Sequence, residues 1–148
     1  MKTRTTLSAL WLACVLCLPA RVFAEGTWTA LAHTAPNNIG TMLLLPDGTV
    51  MAQQFAKNNN TSWYKLSPDA NGHYANGNWS NLSSMHFNRL YYSSVVLQDG
   101  RVFIAGAEYG NGTTNAEIYD PVANSWSIVS IPSGIINLNN TVNSNFVN

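Results

Sequence analysis

The chain has 148 residues, of which 46% are hydrophobic and only 9% charged, and its seven basic and seven acidic side chains cancel at pH 7. With no basic excess to follow a phosphate backbone, nucleic acid is excluded as a partner. Both cysteines, Cys14 and Cys17, lie close to the N-terminus, so the rest of the chain has no disulfide framework, thiolate metal site or thiol nucleophile.

Residues 1–24 read as a cleaved signal peptide. Lys2 and Arg4 supply its positive start, and Leu7 to Leu18 its apolar stretch, too short to span a bilayer. Pro19 breaks that stretch, and Ala24 is the small residue needed at the cut. A lipoprotein site fits neither cysteine, because Trp11 stands three before Cys14 and Leu16 immediately before Cys17. The product is expected to be secreted or periplasmic, with no membrane span. Residues 25–148 then hold four basic and seven acidic side chains, a formal charge of −3.

Downstream, short apolar runs alternate with Gly, Asn, Asp and Pro, the grammar of strands and turns. Trp28 to Leu31 reads as a lone outer strand. Thr41 to Leu45 and Thr49 to Gln54 form a hairpin around Pro46-Asp47-Gly48. Ser62 to Ser67 is a third strand, and Trp79 to Leu82 a fourth after a long Asn-Gly-rich link. The order then returns: Tyr91 to Leu97, an Asp99-Gly100 hairpin of type I′, Val102 to Gly106, a Gly/Asn loop, Ala116 to Tyr119, and Trp126 to Ser130.

Two markers carry the repeat. Leu43-Leu44-Leu45-Pro46-Asp47-Gly48-Thr49-Val50 returns as Val95-Val96-Leu97-Gln98-Asp99-Gly100-Arg101-Val102, with Asp47 and Asp99 52 residues apart. Trp28, Trp79 and Trp126 follow one another at 51 and 47 residues. A period near fifty filled with short strands is the sign of propeller blades. The expected fold is all-β, about two four-stranded antiparallel blades of an incomplete propeller. Blade 1 covers about 38–83 and blade 2 about 89–130, and a third repeat begins over 131–148. Asp47, Gly48, Asp99 and Gly100 are assigned to turns. Trp28, Trp79, Tyr119 and Trp126 are assigned to the blade core. Propellers use about four to eight blades. The expectation is therefore a piece of a longer chain, and the competing reading is a half-propeller that closes by self-association.

The unit resembles a kelch repeat: an apolar strand, an Asp-Gly hairpin, a second apolar strand, then a Tyr and Trp seven apart, as Tyr119 and Trp126 are. The double glycine of that pattern is reduced to Gly106 in the second copy and is missing from the first. Kelch propellers serve as binding platforms and as enzymes alike. A narrower resemblance lies in Arg89-Leu90-Tyr91-Tyr92-Ser93-Ser94, which is similar to a stretch of galactose oxidase and glyoxal oxidase. In those secreted copper-radical enzymes this stretch carries a copper-binding tyrosine crosslinked to a cysteine, and the match implies that role for Tyr91. The cysteine would fall near Asn37-Asn38-Ile39-Gly40, where there is none, so no cofactor is expected. The remaining ligands would belong to later blades.

The top of each blade's first strand faces the channel mouth. Asn38, His86, Arg89 and Tyr91 are therefore the candidate ligand-binding residues, with strand-end packing for Tyr91 and a blade-to-blade bridge for Arg89 as the plainer readings. The three histidines, His33, His73 and His86, form no metal-ligand spacing. No catalytic constellation emerges. The expected function is a secreted binding module for a protein or carbohydrate, with a non-catalytic piece of a copper-oxidase-like protein as the alternative.

Overall fold

The computed structural model describes residues 26–130, apart from Asn58 and Thr113. The proposed signal peptide and the start of a third repeat lie outside these residues. Among the described residues the fold is all-β, with one short 3-10 turn at Tyr74–Asn76. No described helix is long and apolar enough to cross a membrane.

Blade 1 is a four-stranded sheet of β1 (Ile39–Leu44), β2 (Val50–Gln54), β3 (Trp63–Ser67) and β4 (Asn78–Leu82), in that spatial order. In blade 2 the inner strand is broken. β5 (Arg89–Leu90) pairs with β8 (Tyr109–Gly110), while β6 (Ser93–Val96), β7 (Val102–Ala105), β9 (Ala116–Asp120) and β10 (Ser125–Val129) form the four-stranded sheet. All pairings are antiparallel. The two sheets are stacked blades of a β-propeller-like fold.

Both hairpins close the same way. The Gly48 N–H donates to the Leu45 carbonyl at 3.0 Å, and the Gly100 N–H to the Leu97 carbonyl at 2.9 Å. Gly48 has φ +80° and Gly100 φ +88°, whereas Asp47 and Asp99 keep negative φ. This corrects the expected type I′ turn: each is a three-residue loop, a type I turn followed by a left-handed glycine. Pro46 explains the choice, since its ring fixes φ near about −65°, the value that position of a type I turn requires. Each aspartate then ties its own turn. Asp47 Oδ1 accepts from the Thr49 N–H at 2.9 Å, and Asp99 Oδ1 from the Arg101 N–H at 3.1 Å.

The core lies between the blades. Leu43, Leu45, Met51 and Trp63 from blade 1 meet Val96, Val102, Ile104, Tyr119 and Trp126 from blade 2, with Met85 of the connecting link sealed among them. Trp63 and Trp126 are tilted against each other with ring centroids 5.7 Å apart. Burying one such aromatic is worth ~1.5–3 kcal/mol, so this cluster dominates the cohesion of the pair.

Two expected core residues lie elsewhere. Trp28 is fully exposed, and no strand forms over Trp28–Leu31. Trp79 is half-buried; its indole N–H donates to the His33 carbonyl at 3.0 Å. Trp126 makes the matching bond to the Ser83 carbonyl at 2.8 Å. Residues 32–37 thus sit against blade 1 as residues 83–88 sit against blade 2.

Candidate functional site

The break between β5 and β6 builds the site. Tyr91 sits there at φ +54°, a left-handed conformation that a bulky side chain rarely adopts. It is not the first residue of the long strand expected from the sequence. The backbone is pinned by its neighbours: the Glu108 N–H is shared between the Leu90 carbonyl at 3.0 Å and the Tyr91 carbonyl at 2.9 Å. The strained turn pushes the Tyr91 ring outward, 60% exposed, where it meets the Tyr109 ring edge-on at 6.1 Å.

Tyr91 overhangs a cleft of about 400 Å³ between the inner strands of the two blades. Phe55, 45% exposed, lines the opposite wall with Gly40 and Thr41. Leu90, Tyr92 and Gln53 complete the lining. The floor is locked. The buried Gln53 amide donates to the Asn60 carbonyl at 2.6 Å and the Arg89 carbonyl at 3.1 Å, and its oxygen accepts from the Tyr92 hydroxyl at 2.6 Å. Burial raises the Tyr92 pKa, so that hydroxyl stays a donor at neutral pH.

Arg89 points the other way. Its side chain is fully buried and is not a free group at the mouth. Nη2 lies 3.1 Å from Glu117 Oε2, and Nη1 donates to the carbonyls of Gly106 at 2.8 Å and Asn115 at 2.8 Å, and to Gly112. Burial lowers the Arg89 pKa, opposed by the Glu117 charge beside it. His86 joins the same group: its backbone N–H donates to Glu117 Oε1 at 2.8 Å, and its Nδ1 lies 2.8 Å from that oxygen. Arg89 and His86 therefore hold the loop after β7 and the link between blades. Neither lines the cleft.

Register shows what Arg89 replaces. Ala52 faces Tyr64 in blade 1, and Ile104 faces Glu117 in blade 2, so Tyr64 and Glu117 are equivalent. The 52-residue step from Asp47 to Asp99 makes Asn37 the counterpart of Arg89. Asn37 duly donates to the Tyr64 hydroxyl at 2.6 Å. Asn38 is exposed, and its carbonyl accepts from the Phe55 N–H at 2.7 Å, fixing that wall of the cleft. Of the four candidate residues, only Tyr91 lines the cleft. Phe55, Tyr92 and Gln53 were missed, and only the repeat alignment could have pointed to them.

Copper bound as the sequence resemblance implies does not fit these residues. The position expected for the cysteine is Asn37–Gly40, and no three His, Cys, Asp or Glu side chains converge among the described residues.

No family model matches the chain, and no curated protein matches it. Among solved structures it is similar to a fungal alcohol oxidase of the AA5 family in complex with copper, at 29% identity and a TM-score of 0.46. That match covers 60% of this chain and 18% of the oxidase.

Proposed function

We propose that this chain is a secreted kelch-type propeller module that binds a carbohydrate in the cleft between Tyr91 and Phe55. The observation that carries this reading is the cleft itself: about 400 Å³, walled by exposed aromatic rings from two blades over a fixed polar floor. That volume lies in the ~300–1,000 Å³ range of small-ligand sites. Sugar rings offer apolar C–H faces that pack on aromatic rings, and hydroxyls that bond to groups such as Thr41 at the rim. The walls hold no cationic side chain, which favours a neutral sugar over a phosphorylated ligand.

The test is calorimetric titration of the full chain with a panel of neutral oligosaccharides, repeated with Phe55→Ala. Saturable binding that Phe55→Ala weakens supports the reading. A panel with no saturable binding, or affinity that Phe55→Ala leaves untouched, removes it.

A further inference from the structure

The two blades hold another cavity, at the end of the strands opposite the Tyr91 cleft. It has a volume of about 120 Å³ and lies between the β1–β2 hairpin of blade 1 and the β9–β10 hairpin of blade 2. Leu45 and Leu82 supply its apolar wall, and Asp47, Lys65, Tyr119 and Asn124 its polar groups. At ~30 Å³ for each water of the liquid, that is room for about four waters or one small organic molecule.

Lys65 is the unexpected group. It follows Trp63 by two residues in β3, so it shares the face that packs on blade 2. Met51 stands opposite it, as Phe103 stands opposite Ile118 in blade 2. The blade architecture thus accepts an apolar residue at this place, and blade 1 puts a half-buried cation there. Lys65 makes no hydrogen bond or ion pair among the described residues. A half-buried ammonium without a partner costs free energy unless something in the cavity bonds to it.

The other groups are fixed in place. Asp47 Oδ1 accepts from the Thr49 N–H at 2.9 Å and the Thr49 hydroxyl at 2.8 Å, which leaves Oδ2 to accept from a ligand. Partial burial opposes ionisation of Asp47, but those bonds and the Lys65 charge outweigh it and hold its pKa below the usual value. Asn124 stands at φ +48° in the facing hairpin. Its Oδ1 accepts from the Ser83 N–H at 2.9 Å and the Tyr119 hydroxyl at 2.9 Å, which leaves its amide NH2 to donate.

We infer that this cavity is a second binding site, one that takes a small zwitterion of amino-acid size, its ammonium on Asp47 and its carboxylate on Lys65 and the Asn124 amide. Sign and size carry the assignment. A simple anion meets Lys65 but is repelled by Asp47, and a simple cation meets the reverse. A molecule with both charges satisfies both, and about 120 Å³ restricts it to a short side chain. The site is independent of the carbohydrate reading, because no residue lines both cavities.

The test is a titration of the isotope-labelled full chain with glycine and with alanine, followed by amide chemical shifts. Saturable shifts are expected at Thr49, Lys65 and Asn124, with the amides of Tyr91 and Phe55 unmoved. Acetate and methylammonium, which carry one charge each, should bind at least about tenfold more weakly, the loss of one hydrogen-bonded charge. Lys65→Ile, which installs the side chain that blade 2 has at this place, should keep the fold and lose the binding. No saturable shift with either amino acid, as when waters alone fill the cavity, overturns the inference. So does acetate that binds as tightly as glycine, or Lys65→Ile that binds as the wild type does. If Lys65→Ile fails to fold, the comparison of glycine with acetate and methylammonium on the wild type decides by itself.

Discussion

Glu117 shows how much one side chain can carry. It is fully buried, and it is held by the Arg89 guanidinium and by the backbone N–H and ring Nδ1 of His86. Removing one partner of a buried pair leaves an uncompensated charge, at a cost of ~3–5 kcal/mol. Glu117→Ala should lose that much in urea unfolding, and Arg89→Met with Glu117→Leu should recover little of it, because the carbonyls of Gly106, Gly112 and Asn115 also lose their donor. A loss under ~1 kcal/mol for Glu117→Ala would mean that the pair holds little. Tyr119 gives the pH dependence. Burial pushes its pKa from 10.0 up to about 12. Above pH 10 the unfolded chain loses that proton while the folded one keeps it, so stability falls from about pH 10 to 12. Tyr119→Phe should make that decline shallower, and an unchanged slope in alkaline melts would exclude Tyr119 as its source.

The hairpins set the element scale. Gly100 has φ +88° and packs beneath Pro46 of the neighbouring hairpin, so a Cβ there would lie 3.6 Å from the Pro46 ring. Gly100→Val forces a β-branched residue into left-handed backbone, at a cost of ~1–3 kcal/mol. Asn111→Ala removes only the acceptor for the Asn88 N–H, worth about 1 kcal/mol. Thermal melts should rank the glycine variant lower, and the reverse order would contradict the hairpin geometry. Strands and hairpins were legible because alternation and Asp-Gly turns are local signals. The turn type was misread because the constraint comes from Pro46 in one copy and is hidden in the other. Trp63 escaped because its burial depends on the neighbouring blade, a contact that spacing along the chain does not reveal.

At the scale of the whole molecule, the Arg89–Tyr91 stretch divides its work. Arg89 turns inward and clamps the loop after β7, while Tyr91 turns outward over the cleft between blades. The sequence reading assigned this stretch to a channel mouth and offered a bridge for Arg89, but gave no sign that of its candidates Tyr91 alone would line the cleft. Partner Glu117 lies 28 residues away, and nothing local signals the positive φ at Tyr91. A non-glycine residue held in left-handed backbone costs ~1–3 kcal/mol and persists where it serves a site. Tyr91→Gly is therefore the most direct measurement, read as melting temperature and oligosaccharide affinity on one sample. Glycine relieves the strain and removes the ring. The melting temperature should hold or rise, while affinity weakens about tenfold, the loss of one aromatic contact near ~1.4 kcal/mol. A marked fall in melting temperature with affinity intact would contradict the account, since Tyr91 would then be a packing residue and the cleft no binding site.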